Sequence, residues 1–286
     1  KKSDHEERLA LRPTSETVMY DSYSRWIRSY RDLPLLINQW CNIVRWEVKD
    51  VKLFLRSREF LWQEGHCVFE TKEECDKHVY DIIKEYQRLS EWLLAMPASY
   101  GKKSEKEKFA GAQYTYTIES FMPDGKALQN GTSHQLGQSF AKGFNIKYVG
   151  RDEKEHYPFQ ASWGFSTRMV GAMIMLHSDN KGLVLPPRVA PTKIAIVPIF
   201  GKKKEAVLAK ARELQEQLNK HGYTSVLDDR EEQSPGYKFN EWELKGVPLR
   251  LEIGPRDIEN DQCVLAKRND GEKITVKLNE VMSKVA

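Results

Sequence analysis

The chain has 286 residues, 30% of them charged, and a net charge of +4, enough for one large domain or two ordinary ones with a sizeable core. The mildly basic balance permits a nucleic-acid partner without demanding one, no apolar run reaches transmembrane length, and no signal-peptide pattern opens the chain. The four cysteines (Cys41, Cys67, Cys75, Cys263) are scattered without a C-x-x-C pair, which argues against a disulfide scaffold or a zinc ribbon and makes a reducing cytosol the default.

In chain order, Lys1 to Arg8 is a charged lead-in. Leu9-Ala10-Leu11-Arg12-Pro13-Thr14 follows so soon that the chain reads as if it starts inside a domain, with upstream residues expected. Thr14-Ser15-Glu16 ends an extended segment and opens a helix over Thr17 to Ser29, with Thr14 as N-cap and Val18, Met19, Trp26 and Ile27 at near-helical spacing. Capping is the ordinary use of such residues; Thr14 and Glu16 could also hold an ammonium group. Arg31-Asp32-Leu33-Pro34 is a turn, and Leu35 to Trp40 leads into two strands joined by a basic loop. Val44, Trp46 and Val48 alternate with Arg45 and Glu47, placing the apolar trio in the core, while Phe60, Trp62, Glu64 and His66 share one face of the second strand. Charges on a packed sheet must be paired or line a ligand cleft, and both readings stay open here.

Thr71-Lys72-Glu73-Glu74 is a capping box that starts a scaffold helix carrying Val79, Ile82, Ile83, Tyr86, Leu89, Trp92 and Leu93 and ending before Pro97. The lysine-rich run Lys102 to Lys108 reads as a solvated turn, with phosphate contact as the lesser alternative. Tyr114 to Glu119 is a strand, Asp124-Gly125 a turn into Lys126 to Gln129, and Asn130 to His134 breaks the pattern before Leu136. His134 is read as ligand-facing or as a hydrogen-bonded core residue. Phe159 to Ser166 is a strand, and Thr167-Arg168 starts an apolar helix. Arg168 adds its charge to the positive end of that helix, a conflict that an anionic ligand or a carboxylate such as Glu47 or Glu64 would resolve. His177 to Gly182 is a tight turn and Leu183 to Leu185 a strand.

The proline-rich stretch Leu185 to Pro191 marks a domain boundary, dividing the chain into 1–188 and 189–286. Beyond it strands and helices alternate: strands at Ile194–Val197, Val226–Leu227 and Leu249–Ile253, helices at Lys203–His221 and Tyr237–Lys245 closed by Gly222 and Gly246, and a hairpin about Asn269-Asp270-Gly271. No Walker A or G-x-G-x-x-G motif occurs. Lys238, Phe239, Glu243, Arg250, Arg256 and Asp257 mix both charges around an aromatic ring, which suits base-edge hydrogen bonding and stacking on unpaired RNA; surface ion pairs are the ordinary alternative.

Leu11-Arg12-Pro13-Thr14-Ser15-Glu16, Arg45-Trp46-Glu47, the run Arg56 to His66 (Arg-Ser-Arg-Glu-Phe-Leu-Trp-Gln-Glu-Gly-His), Gly131 to Gly137 and Gly182 to Arg188 occur in this order. With them the chain resembles the prolyl-tRNA synthetases, class II aminoacyl-tRNA synthetases, most closely their eukaryote-like form. The resemblance implies an α+β catalytic domain over 1–188, with a class II antiparallel sheet flanked by helices. A smaller α/β anticodon-binding domain with a mixed five-stranded sheet follows over 189–286. It also implies an ATP-dependent ligase that makes prolyl-adenylate from proline and ATP with Mg2+, then charges tRNA(Pro), as a cytoplasmic homodimer without membrane attachment and without protein-ligated zinc.

Carried over by position, Arg45 and Arg168 are catalytic. ATP is expected on Arg45, Glu47, Leu55, Arg56, Phe60, Gln129, Thr132 and Arg168. Proline is expected on Thr14, Glu16, Arg45, Trp62, Glu64, His66, His134, Trp163 and Ser166, with Trp62 and Trp163 as flat walls. The anticodon is expected on Phe239, Glu243, Arg250, Arg256 and Asp257. Departures are the family's first signature and C-terminal extension, absent from this chain, and the lack of an editing insertion between the ATP signatures. Smaller ones are His177-Ser178-Asp179 where the family commonly has His-Gly-Asp, and Ser166 where threonine is frequent. A non-catalytic paralogue would be expected to lose the motif arginines, and a threonine, serine or glycine synthetase to differ at Trp62 to His66.

Overall fold

The computed structural model describes residues 10–12 and 14–286; the charged lead-in, Leu9 and Pro13 lie outside the described residues. Two compact units divide the chain, one ending at Ala172 and one beginning at Met173. In the first, α1 (Glu16–Trp26) precedes the hairpin of β1 (Leu35–Val44) and β2 (Glu59–Phe69), followed by α2 (Lys72–Arg88). Then come β3 (Ser99–Lys102), β4 (Tyr114–Phe121), β5 (Ala127–Gly137), α3 (Ser139–Gly143), the short pair β6 (Tyr148–Val149) and β7 (Glu155–His156), β8 (Phe159–Ser166) and the first residues of α4 (Arg168–His177), a helix that runs across the division at Ala172 and Met173. Six strands form one antiparallel sheet in the order β1-β2-β8-β5-β4-β3.

Residues opposite each other on neighbouring strands share a face, so the register sorts the side chains. Trp62 lies opposite Ser166, Glu64 opposite Gly164, and His66 opposite Ser162; Thr132 also faces Gly164, and His134 faces both Ser162 and Thr115. These residues line one face. The other face, with Gln63, Gly65 and Trp163, packs on α2. Both bonds of the Thr71/Glu74 capping box form, and Cys75, Val79, Ile83 and Tyr86 make the buried stripe of α2. A second core, of Tyr20, Tyr23, Ile27, Val68, Leu136 and Ala141, ties α1 and α3 to the sheet.

Several local expectations change. Strand β1 ends at Val44, so Arg45, Trp46 and Glu47 lie in the hairpin loop rather than on a strand. Trp46 is not core: it is 78% exposed and stacks under the Arg58 guanidinium at 4.9 Å, while Val48 is buried. Thr14 is not the N-cap of α1. Ser15 occupies that position without a side-chain cap bond, because its hydroxyl is turned to Glu64. Val18 and Trp26 are exposed, and Tyr20, Tyr23 and Ile27 supply the buried face. The expected break at Asn130 to His134 is instead continuous strand, with a bulge opposite Ile118 and Glu119 absorbing the irregularity.

The second unit holds β9 (Ile194–Pro198), α5 (Lys204–Lys220), β10 (Ser225–Leu227), α6 (Pro235–Leu244), β11 (Leu249–Ile253), α7 (Pro255–Glu259), β12 (Gln262–Lys267), β13 (Lys273–Lys277) and α8 (Val281–Val285). Its sheet is five-stranded and mixed, β10-β9-β11-β12-β13, with parallel pairs at β9 and antiparallel pairs from β11 onward. Val207, Ala211, Leu214 and Leu218 of α5 pack on Ile194, Ile196, Leu251, Ile253 and Leu265. Each fully buried aliphatic side chain there contributes roughly 1.5–3 kcal/mol. Leu183 to Leu185 is not a strand. Its amides bond the end of α6 instead (Leu183 N–H to Leu244 O, 3.1 Å; Leu185 N–H to Gly246 O, 3.2 Å). Gly246 has φ +72°, and a Cβ there would stand 2.7 Å from the Leu183 backbone, so the turn requires glycine.

Candidate active site

The α1 side of the first sheet holds a cavity of about 280 Å³. Its floor is Phe60, Trp62, Glu64 and His66 of β2, with Thr132 and His134 of β5 and Ser162 and Ser166 of β8; Thr14, Glu16, Arg45, Gln129 and Arg168 stand around the rim. Alternation along three adjacent strands delivers these residues to one face.

Glu64 is 2% exposed and accepts hydrogen bonds from the Ser15 hydroxyl, Gln39 Nε2 and His66 Nε2 (2.9 Å). Burial pushes its carboxyl up, but those donors outweigh burial and hold it below the usual carboxylate range. Tyr20 OH meets His66 Nδ1 at 3.2 Å, and burial keeps the Tyr20 phenol well above its ordinary titration range. Tyr20 therefore stays a donor, consistent with His66 carrying its proton on Nε2 toward Glu64. Thr14 donates to Glu16, whose carboxylate borders the cavity. His134 is bracketed by Thr115 Oγ1 (2.9 Å) and Thr132 Oγ1 (3.1 Å). Burial first, then the electrostatic influence of Lys103 and, less, of His66, lower its pKa to about 4, so it is neutral at pH 7.

The rim is cationic. Arg168 Nε donates to Leu55 O (2.9 Å) and Arg45 lies 5.4 Å from the Phe60 ring. Among the described residues neither guanidinium has a carboxylate within 4.0 Å, so Glu47 and Glu64 do not resolve the helix-start conflict at Arg168. Burial and the neighbouring Arg45 and Arg56 lower the Arg168 pKa. Half-buried guanidinium groups close enough to repel one another form a site for a polyanion. The loop between β1 and β2 folds back through Lys52 and Arg56 and rests Phe54 and Leu55 on Gly171 of α4, where a Cβ would come within 2.9 Å of either residue.

The structure thus gathers Thr14, Glu16, Arg45, Phe60, Trp62, Glu64, His66, Gln129, Thr132, His134, Ser166 and Arg168 about one cavity. Glu47 and Arg56 are exposed on the loop outside its lining, and Leu55 approaches through its carbonyl only. Trp163 borders the cavity, but its indole is not the expected wall on the Trp62 side. It lies over Gly65 on the α2 face and donates to His78 Nε2 at 3.0 Å. Sequence reasoning missed Ser15, Gln39 and Tyr20, which orient Glu64 and His66, and Phe109 and Thr115 beside His134. Only the register, which sets Gln39 opposite Glu64, brings such pairs out. The run at 102–108 is not wholly solvated either, since Lys103 and Glu107 turn into the cavity. Among the described residues no group of three or more His, Cys, Asp or Glu could hold a metal ion.

In the second unit Arg250 lies 4.3 Å from the Phe239 ring and pairs with Glu252 (2.9 Å) and Glu243 (3.6 Å), with Lys273 on Glu252 at 3.1 Å. Phe239, Glu243 and Arg250 are therefore together, joined by Glu252 and Lys273, which the sequence did not single out. Arg256 and Asp257 lie on α7, where Asp257 accepts from Gly254 N–H at the helix start (2.8 Å); among the described residues no hydrogen bond or ion pair joins them to the cluster. Lys238 is not an RNA-facing residue: it is 1% exposed and bonds Asp228 O at 3.0 Å.

A family profile described as "tRNA synthetase class II core domain (G, H, P, S and T)" matches residues 1–177. The chain belongs to the class II tRNA synthetases. A second profile, "Anticodon binding domain", matches residues 193–286 of this synthetase chain. It is 56% identical over 275 residues to a proline--tRNA ligase of Alkaliphilus oremlandii, covering 96% of this chain and 57% of that one. It is 50% identical to the proline--tRNA ligase of Chlorobaculum tepidum, covering 98% of this chain and 60% of that one. A crystal structure of prolyl-tRNA synthetase from Cryptosporidium parvum, complexed with L-proline and AMP, superposes with a TM-score of 0.96 at 48% identity, over 100% of this chain and 62% of that one. The chain thus spans about three fifths of the length of these relatives, and the expected resemblance and two-part fold are both present. Among the described residues no helix is long and apolar enough to cross a membrane.

Proposed function

We propose that the protein is a proline–tRNA ligase that activates L-proline with ATP and transfers the prolyl group to tRNA(Pro). The observation that carries this reading is a cavity combining a rim of arginines that, among the described residues, have no carboxylate within 4.0 Å with a buried, multiply bonded carboxylate and flat apolar walls. Adenylate formation is in-line displacement at phosphorus, so positioning and charge stabilisation carry it and no covalent nucleophile is required.

In this reading Arg45 meets the α-phosphate, where charge develops as the carboxylate of proline attacks, and Arg168 and Arg56 take the outer phosphates. Phe60 stacks on adenine, Glu47 receives its amino group, and Leu55, Gln129 and Thr132 complete the nucleotide contacts. Thr14 and Glu16 take the secondary ammonium of proline. Glu64 and His66, locked by Ser15, Gln39 and Tyr20, with His134 and Ser166 set the pocket shape, and Trp62 lies against the ring; Trp163 supports the pocket from below. Mg2+ would arrive on ATP and neutralise charge between phosphate oxygens. Glu119, half-buried across from Gln129 and with no ion pair among the described residues, is one carboxylate suited to it. One carboxylate fits a metal held mainly by phosphates. Phe239, Glu243, Arg250, Arg256 and Asp257 would meet the anticodon. The exposed Leu36, Trp40 and Leu61 on the β1–β2 edge favour a homodimer, and the cytoplasm is the compartment of the reaction.

The test is amino-acid-dependent ATP–pyrophosphate exchange across all twenty amino acids. Exchange with proline alone is expected; exchange with another amino acid but not proline would refute the assignment.

A further inference from the structure

The lysine-rich run over 102–108 remains outside the roles given so far. A second cavity, of about 350 Å³, lies along β3 and β4 and is lined by Tyr100, Lys102, Ser104, Thr117, Glu119 and Phe121, among others. Lys103 and Glu107 line both this cavity and the one holding the reactive residues, so they form the wall between the two. The Lys103 backbone is fixed by its N–H bond to Thr115 O at 2.9 Å, and its half-buried ammonium donates to Gln129 Oε1. Among the described residues it has no carboxylate within 4.0 Å; the neighbouring Lys108 takes Glu105 instead. The Gln129 backbone carbonyl, a different oxygen, accepts from Arg168 Nη1 at 3.5 Å, so Lys103 and the cationic rim share Gln129 as a partner.

Resting on the ligase reading above, we propose that Lys103 binds a phosphate group at the passage between these two cavities, beside Gln129. A half-buried ammonium satisfied only by an amide oxygen still lacks a counter-charge, and a phosphate oxygen supplies one in a charge-assisted hydrogen bond. Glu107 borders the same wall and repels an anion placed away from Lys103, which confines the phosphate to the ammonium. Two sources carry this chemistry to the passage: the triphosphate of the nucleotide and the sugar–phosphate end of the acceptor RNA. The second cavity, with its exposed Phe121 and its Lys102, suits a single-stranded RNA end, which stacks bases on aromatic rings and pairs its backbone with lysine.

The experiment compares the full chain with Lys103→Ala and Lys103→Arg, measuring KM for proline and for ATP in pyrophosphate exchange, and KM for tRNA(Pro) in aminoacylation. Loss of one charge-assisted contact is expected to raise one KM about tenfold more in Lys103→Ala than it raises KM for proline, with most of the effect recovered in Lys103→Arg. A selective rise for ATP identifies the nucleotide as the phosphate source; a selective rise for tRNA, with a shallower salt dependence, identifies the RNA end. Equal rises in all three constants, or no rise in any, would overturn the proposal. Wild-type exchange with proline, run alongside, separates failure of this inference from failure of the ligase reading.

Discussion

Replacing Glu64 tests the buried network on which the pocket is built. Ser15, Gln39 and His66 all donate to this carboxylate, which is 2% exposed. In Glu64→Ala those donors lose their acceptor together. Each buried donor left unpaired costs about 1–3 kcal/mol, not additively, and removing one partner of a buried charged network costs about 3–5 kcal/mol. A loss of about 4 kcal/mol of unfolding free energy is expected, a large share of the 5–15 kcal/mol typical of a domain. Glu64→Gln should cost only about 1–2 kcal/mol. Its amide oxygen still accepts from Ser15 and Gln39, and its amide N–H can face His66 Nε2 once the imidazole moves its proton to Nδ1 and the Tyr20 oxygen turns to accept it. Urea unfolding of both variants, followed by circular dichroism, measures the difference. Because the folded-state pKa of Glu64 lies below its unfolded value, its stabilisation is present above the unfolded pKa and is lost as pH falls through the folded one. The gap between wild type and Glu64→Gln should therefore close in acid. A cost under about 1 kcal/mol for Glu64→Ala, or a gap independent of pH, would refute the reasoning.

Arg45→Ala should abolish proline-dependent pyrophosphate exchange while leaving urea stability within about 1 kcal/mol of wild type, since among the described residues no carboxylate pairs with Arg45; undiminished exchange would remove its assigned role. Gly65→Ala places a methyl carbon 2.1 Å from the Trp163 ring, which must move against α2 and give up its bond to His78. A loss of about 3 kcal/mol by urea titration and a shifted Trp163 fluorescence are expected, and a neutral substitution would contradict the packing. His134, with a folded pKa near 4 against about 6.5 unfolded, stays neutral while the unfolded chain takes up a proton, so stability falls as pH drops from about 6.5 to 4, by at most about 3 kcal/mol. His134→Gln should flatten that limb of the stability–pH curve, and an unchanged limb would count against the buried neutral imidazole.

Much of the site was legible because period-two alternation and rare side chains leave strong marks. Phe60, Trp62, Glu64 and His66 had to share a face once β2 was a strand, and Arg168 stood out as a cation at the positive end of a helix. The failures share a cause, which is that solvent exposure is decided by neighbours far along the chain. Trp46 looked like core by alternation, yet β1 had already ended. Trp163 looked like a pocket wall, yet its pairing opposite Gly65 sends the indole under the sheet. Lys103 looked solvated within a lysine run, yet its amide bond to Thr115 brings its ammonium to Gln129.

By itself the sequence determined the periodicities, caps and turn chemistry, and therefore the two-part α+β then α/β order, because these depend on residues within a few positions of one another. It also fixed which side chains could bind anions or an ammonium. Only the tertiary structure decided which of them meet. Strand register, set by the packing of a whole sheet against α1 and α2, places Gln39 and Ser15 on Glu64. It gathers Arg45 and Arg168 around one cavity and leaves Lys103 between two cavities, and no local pattern encodes such juxtapositions of residues dozens of positions apart.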